Sequence, residues 1–452
     1  MRSSSFWTKE GWNLYPTLRG PHKADVVIVG GGLTGMTTAL WLCRAGLRVV
    51  LLEAETLACG ATSRCGGMLS LTGRLLMEKL EKQRGTEVAG AYLRSQMASF
   101  GAIRPLAEEV EGAFDWQDAD AGILAPNQRI RLEGEADALR RAGAAAEAAP
   151  SGASPFPAAG VLTLKNMATL HPIKYFQHLT QSATKLGLRI FEHSRVMALE
   201  TNLAQTEQGI VTAPYIVIAT GYPIVNVPGW YFLRLWQRRR SLLPLAAKAS
   251  FEGMFFDAAG RFGLRKWQEG MLLQLDGGMT GQRMGEDPLA LYIRQYAPYL
   301  EHAQAVGVYD GVETFSADGL PYIGAYSRKT PNLFVAAGYG GRGLLGSMTA
   351  ARLISARVLG LHEDSAYVFS GQRSGNSVRG RELASAAAMA GRHAASLMHV
   401  FAPRCPHMGC KLSYSRTKRI WECPCHGSRF DDIGHLINAP SVEDAIIRRR
   451  RF

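Results

Sequence analysis

The sequence has no window approaching the ~20 consecutive apolar residues that a helix needs to cross a bilayer, so no integral membrane segment is expected. An apolar signal core is missing as well, because Trp7, Glu10 and Trp12 interrupt the first residues, and the expected location is cytoplasmic. Basic residues outnumber acidic ones, 51 against 38, for a formal charge of +13. Yet no basic stripe interleaved with aromatics occurs: the only dense runs, Arg238 to Arg240 and Arg448 to Arg451, read as a solvated face and a tail, and no nucleic-acid partner is expected. Cysteine is scarce and unevenly placed. Of seven, Cys43, Cys59 and Cys65 lie near the start, and Cys405, Cys410, Cys423 and Cys425 crowd near the end, a spacing that points to metal before a disulfide framework. At 452 residues the chain is too long for one small domain, and two or three units are expected.

What is present begins with a β-branched run, Asp25 to Val29, that breaks into Gly30-Gly31-Gly32-Leu33-Thr34-Gly35 ahead of a helical stretch, Met36 to Ala45. Gly46 closes that helix, Leu47 to Leu52 reads as a second buried strand, and Glu53 stands at its end. Each position has a mechanical reason. Gly30 makes the tight turn, Gly32 admits a pyrophosphate, Gly35 allows close helix packing, and Glu53 accepts hydrogen bonds from ribose hydroxyls. The N–H groups of the first helical turn, at Leu33 and Thr34, face the phosphates with a positive dipole end.

Gly60-Ala61-Thr62-Ser63-Arg64-Cys65-Gly66-Gly67 resembles the FAD-dependent amine and amino-acid oxidoreductases, the family of D-amino-acid oxidase, glycine oxidase and sarcosine oxidase. The resemblance implies that Thr62, Ser63 and Arg64 run beside a flavin, with Cys65 standing where the family has Asn. Further support comes from the strand Tyr215 to Ile218 leading into Ala219-Thr220-Gly221, and from Asp318-Gly319-Leu320-Pro321-Tyr322-Ile323-Gly324 with residues 332 to 343. A second GxGxxG, Gly338 to Gly343, follows a strand (Leu333 to Ala337) and precedes a helix (Leu344 to Leu359), so a second nucleotide site for NAD has to be weighed. No further strand ending in an acid follows it. The resemblance instead sets Gly340, Gly341, Arg342, Gly343 and Leu344 against the flavin, the helix dipole stabilising negative charge on the reduced ring.

Near the other end, Cys405-Pro406-His407 and Cys423-Pro424-Cys425-His426 form two loops that could close on one site. One Cys and one His from each offers two thiolates (Cys405, Cys423) for one iron and two imidazoles (His407, His426) for another, the Rieske arrangement, but a tetrahedral zinc would accept the same four ligands. The boxes resemble Rieske proteins of the cytochrome bc type. That resemblance implies a 2Fe-2S cluster, a disulfide between Cys410 and Cys425, Ser428 as a donor to cluster sulfur, and a covering proline loop at Gly434 and Ala439-Pro440-Ser441. Phe430 stands where high-potential members carry Tyr, which should lower the potential. Few residues, Ala395 to Arg404, separate a helical linker (Gly380 to Arg392) from the first box, so this module must borrow cover from elsewhere.

The whole order is similar to bacterial flavin oxidoreductases with a C-terminal Rieske domain, a likeness that extends through Pro228 to Phe232 and Leu275 to Gly278. It implies an α/β fold: a Rossmann-like FAD-binding domain from residues 24–84, 166–223 and 311–360, an inserted α+β substrate domain from 85–165 and 224–310, a linker over 361–395 and a small all-β Rieske domain over 396–452. Ala142 to Ala159 reads as a surface loop, and His171 as a structural residue at the entry to a helix from Tyr175 to Leu186. The implied reaction is hydride transfer from a C–H beside an amine to the flavin, with electrons passing through the cluster to an external acceptor. Arg342 and Glu313 are the candidate substrate contacts. An acid at Glu313 favours a cationic amine, although a salt bridge explains it equally. The competing functions are an oxygen-using amine oxidase with a structural zinc or docking module, and a redox sensor.

Overall fold

The computed structural model describes residues 5–7, 12–109, 113–128, 131–246, 251–282, 287–300, 305–373, 376–397 and 402–447. The run Arg448 to Arg451 lies outside them. Among the described residues no helix is long and apolar enough to cross a membrane.

The N-terminal glycine turn belongs to a six-stranded sheet ordered Tyr322–Ser327, Thr330–Ala337, Tyr215–Gly221, Val26–Val29, Val49–Leu52, Arg189–Phe191. All but the edge strand Tyr322–Ser327 run parallel, with Ile28 opposite Leu51 on one side and Val217 on the other, and Val217 opposite Phe334 in turn. Both strands flanking the turn are buried along their length, as a parallel sheet covered on two faces requires. Alternate residues feed different cores. Val26, Ile28, Val49 and Leu51 pack with Met36 and Leu40 of the helix Leu33–Arg44, whereas Val27, Val29, Val50 and Leu52 pack with Ala204 and Val211 of a second, four-stranded sheet. The helix Gly343–Val358 lies against Leu33–Arg44, and no strand of this sheet follows it among the described residues.

A nine-stranded sheet draws most of its strands from the two inserted segments. Its main path runs Tyr309–Ser316, Leu235–Leu245, Gly270–Met279, Phe262–Trp267, Met254–Asp257, Gln117–Ala125, Gly160–Thr169, Met68–Leu69. The first and last of these strands reach past the inserted segments read from the sequence. The surface loop expected over Ala142 to Ala159 is corrected: Ala146–Pro150 is a strand paired to Gly160–Thr169, and Phe156 is buried against Phe251 and Phe255. An alanine-rich stretch has small side chains that fit a sheet edge, which composition alone read as loop.

The C-terminal unit is a meander of four short antiparallel strands, Ser413–Ser415, Ile420–Glu422, Arg429–Asp431 and Leu436–Asn438. Before it, the expected linker is largely helix, Ala366–Phe369 and Asn376–Leu397.

Candidate functional site

A cavity of about 340 Å³ opens at the carboxyl ends of the parallel strands, where such sheets bind ligands. Its wall contains Gly30, Gly32, Leu33, Thr34, Glu53, Thr62, Ala219, Thr220, Gly221, Gly340, Gly341, Arg342, Gly343 and Leu344, all singled out from sequence, together with Cys65. Gly30 turns at φ +114°, and a Cβ there would stand 2.6 Å from the Ala219 carbonyl. A Cβ on Gly32 would meet only Thr62 Oγ1 at 3.6 Å, leaving open space in front of the helix. The helices Leu33–Arg44 and Gly343–Val358 both begin without a side-chain cap and without an acid in the first turn. Two positive dipole ends therefore face one cavity, which fits a pyrophosphate at the first and an electron-rich ring at the second. Desolvation pushes the pKa of the half-buried Glu53 up, while Oε2 and Oε1 accept from the N–H groups of Gly31 (2.7 Å) and Glu55 (2.9 Å). The residues present fit FAD.

Three of the expected residues stand off this wall. Gly35 packs beneath the turn, where a Cβ would meet the Gly30 carbonyl at 2.0 Å. Ser63 Oγ donates to the Gly60 carbonyl (3.2 Å) and Arg64 Nη1 to the same oxygen (2.7 Å), so both side chains bind their own turn. Sequence reasoning missed Arg195, Gly73, Phe256 and Gln274, which reach the cavity from separated strands and loops without any local motif.

A second cavity of about 250 Å³ adjoins the first and shares Glu313, Gln274, Gly340, Gly341 and Arg342 with it. Glu313 is held in the wall: Arg240 Nε donates to Oε2 at 2.9 Å and Gln274 Nε2 to Oε1 at 3.2 Å. The carboxylate is thus neutralised in place, and the preference for a cationic amine loses its basis. The solvated face expected for Arg238 to Arg240 is also corrected. These residues lie within the strand Leu235–Leu245, whose alternation sends Arg238 and Arg240 into the second cavity and Arg239 to the opposite side. Each meets a different acid, Asp276, Glu422 and Glu313. His171 is structural, its Nδ1 accepting from Lys174 N at 3.2 Å to cap the helix Pro172–Lys185.

The four C-terminal cysteines converge in a small core with Phe430, Leu412 and Leu436. The two boxes have the same backbone design. In the first, Cys405 N donates to Cys410 O (2.9 Å) and Gly409 N to Cys405 O (2.8 Å); in the second, Cys423 N donates to Ser428 O (2.8 Å) and Gly427 N to Cys423 O (3.2 Å). The sulfurs of Cys410, Cys423 and Cys425 lie within 4.8 Å of one another, the Cys405 thiol is hydrogen-bonded to Cys423, and Cys410 Sγ stands 2.6 Å from Cys425 Sγ. The imidazoles of His407 and His426 face each other with ring centroids 4.9 Å apart. Burial pushes both histidines down to about 4 and keeps them neutral, as metal ligands must be. His407 Nδ1 and both nitrogens of His426 are buried without a hydrogen-bond partner. Orphaned imidazole nitrogens beside clustered thiols fit a metal centre. Fully buried, Phe430 brings no hydroxyl to it.

The cover this short unit lacks comes from the rest of the chain. His407 Nε2 lies 2.7 Å from Asn226 Oδ1, His426 packs against Phe232 and Tyr222, and Cys410 Sγ lies 3.2 Å from Nδ1 of His393 on the helix Asn376–Leu397. Arg239 donates to Glu422 at 2.9 and 2.6 Å, and Gln237 Nε2 to the Ala439 carbonyl at 2.8 Å. Leu436 to Ala439, Ser441 and Val442 also form part of the first cavity's wall.

Fold and site together define a two-part redox protein, a dinucleotide-binding oxidoreductase joined to a metal-cluster module. The chain belongs to the DAO family of FAD dependent oxidoreductases, whose model matches residues 25–357, and carries a Rieske [2Fe-2S] domain matching residues 366–447. The first domain binds FAD and the second a 2Fe-2S cluster. A putative Rieske 2Fe-2S iron-sulfur protein of Bacillus subtilis, YhfW, is 23% identical over 95% of this chain and 94% of its own length. Glycine oxidase from Geobacillus kaustophilus superimposes with a TM-score of 0.66 at 20% identity, covering 78% of this chain and 100% of that one. L-proline dehydrogenase from P. horikoshii gives 0.66 at 16% identity, over 78% and 98%.

Proposed function

We propose that this FAD-dependent oxidoreductase is a dehydrogenase acting on a C–N bond of a small amine or amino acid, and that its electrons leave through the Rieske cluster to an external acceptor, in the cytoplasm. Bound FAD supplies hydride acceptance from the C–H beside nitrogen, leaving an imine that water hydrolyses, and the bound cluster supplies one-electron relay. Gly30, Gly32, Leu33, Thr34, Glu53, Thr62, Ala219, Thr220 and Gly221 would hold the dinucleotide, and Gly340 to Leu344 would face the flavin ring. Cys405, Cys423, His407 and His426 would hold the cluster, with Cys410 and Cys425 joined beside it.

One observation carries the electron route. The loop Leu436 to Val442 is wall to the FAD cavity, and its Ser441 N donates to Ser428 Oγ (3.0 Å) in the second cluster box. A single layer of chain would thus serve both cofactors. Relatives point to the bond: glycine oxidase of Geobacillus kaustophilus and gamma-glutamylputrescine oxidoreductase of Escherichia coli are 24% and 27% identical over 74% and 45% of this chain. Anaerobic mixing of the purified protein with a panel of amines tests the reading. The flavin absorbance should bleach and the cluster's EPR signal rise after it; bleaching with the cluster left oxidised would refute the route, and the oxygen-using alternative would then stand.

A further inference from the structure

The second cavity carries more positive charge than its walls neutralise. Arg74, Arg238, Arg240, Arg261 and Arg342 line it, against the acids Asp276 and Glu313. Three of these arginines are paired, Arg238 with Asp276 (2.5 Å), Arg240 with Glu313 (2.9 Å) and Arg261 with Asp257 (2.9 Å). Among the described residues, Arg74 and Arg342 have no carboxylate partner. Their polar contact is neutral and shared: Nη2 of Arg74 and Nη2 of Arg342 reach the Gly319 carbonyl at 3.5 and 3.3 Å. Around them stand aromatic rings, Phe315 for Arg74 and Tyr92 for Arg342.

Arg342 is only 9% exposed, and its Nη1 is buried with no hydrogen-bond partner. Burial, and next the charge of Arg342, push the Arg74 guanidinium down to about 10. Two cations, Arg342 buried and Arg74 half-buried, held against one carbonyl are unfavourable unless a ligand brings the missing charge. The phosphates of FAD belong to the Gly30–Leu33 end of the first cavity, whose wall does not include Arg74. Arg342 and Gly340, by contrast, line both cavities, so a ligand on the arginine pair adjoins the ring-facing helix.

We infer that the second cavity receives a small dianionic substrate, an amine bearing two acidic groups, held by Arg74 and Arg342. Two uncompensated guanidiniums call for two negative charges, and each offers a carboxylate a planar pair of donors. This deepens the C–N dehydrogenase reading and rests on it for the amine. The anion site itself rests on the cavity alone.

The test titrates the FAD-loaded full chain with non-reacting anions, malonate, succinate, glutarate and inorganic phosphate against acetate and propionate, read by flavin absorbance perturbation and thermal shift. Dianions should bind at least about tenfold more tightly than monoanions, and Arg74→Met and Arg342→Met should each weaken dianion binding about tenfold or more. If Arg342→Met loses its flavin, Arg74→Met carries the test alone. Phosphate outcompeting every dicarboxylate supports the site and assigns a phosphoryl-type charge. Equal affinity for mono- and dianions, or wild-type binding by Arg74→Met, would overturn it. Dianion preference with no amine reducing the flavin sinks the reaction and leaves the site; reduction by amines without dianion preference does the reverse.

Discussion

His407 Nε2 lies 2.7 Å from Oδ1 of Asn226, so an imidazole proposed to hold the cluster is oriented by a residue of the oxidoreductase body. With that oxygen accepting from Nε2–H, the tautomer leaves a lone pair on the buried, unpartnered Nδ1, the atom a metal needs. An acceptor on the far nitrogen increases electron donation to iron and favours the oxidised cluster. Asn226→Leu should raise the cluster potential by about 40 mV, the one-electron equivalent of roughly 1 kcal/mol for one hydrogen bond. Redox titration followed by EPR measures it, and an unchanged or lowered potential would count against this role.

Arg239 and Glu422 form the buried tie across the join, with Glu422 also accepting from Gly281 N at 3.1 Å. The guanidinium holds the carboxyl below the usual range despite its burial. Arg429 Nε lies 3.4 Å from the other carboxylate oxygen, so removing Arg239 leaves Glu422 one charged partner, from its own unit, and cuts the ion pair across the join. Arg239→Met should therefore loosen the cluster unit, lowering its melting temperature and slowing flavin-to-cluster transfer while flavin reduction by substrate persists. Glu422→Leu, which also strips the buried Arg429 of its salt-bridge partner, should cost more than Arg239→Met.

Gly32 faces open space in front of the first helix. A side chain there starts with a Cβ that meets no atom closer than 3.6 Å and would grow into the room assigned to a pyrophosphate. Gly32→Val should be isolated folded but without flavin, visible as loss of the flavin absorbance, whereas retained FAD would move the dinucleotide elsewhere.

Cys410 and Cys425 present sulfurs 2.6 Å apart beside the ligand loops. As a bonded pair they would tie the two boxes together. Counting thiols in the unfolded, metal-free protein should then show two more after reduction than before, and Cys410→Ser should shorten the lifetime of the cluster without abolishing its assembly.

The histidine cap gives a pH dependence with a defined sign. Burial pushes His171 down to about 4, below its ordinary value, because the neutral ring caps Lys174 N and packs on Trp7. A group with a depressed basic pKa contributes stability that is whole above its unfolded value, near 6.5, and falls away as the pH drops toward 4. The loss should be on the order of 3 kcal/mol across that window. Melting temperatures of the holoprotein between pH 7 and 4 should fall less steeply in His171→Asn, which keeps a cap that cannot charge; parallel curves would exclude this histidine as the source.

Much of the site was legible in the sequence because its chemistry is local. A turn between strand and helix needs Gly30, Gly32 and Gly35 at fixed spacing, and two loops that each present a thiol and an imidazole need Cys405, His407, Cys423 and His426 close together in the chain. The strand and helix around the first turn, and the missing βαβ unit after Gly343, were readable for the same reason. The side chains of Ser63 and Arg64 were not, since which way a residue turns depends on the carbonyls its own loop exposes.

What the sequence by itself determined, then, is the identity of both cofactors and the order of their domains along the chain. Only the tertiary structure decided how they meet and what charge the substrate sees. Arg239 and Arg240 are neighbours in sequence, but a strand's alternation sends one to Glu422 of the cluster unit and the other to Glu313 in the cavity wall. Glu313 reads as a cation site until Arg240 neutralises it, and Arg74 reads as nothing until folding sets it beside Arg342. Charge balance is a property of space, summed over residues that the chain brings together from 74 to 342, and no local pattern encodes it.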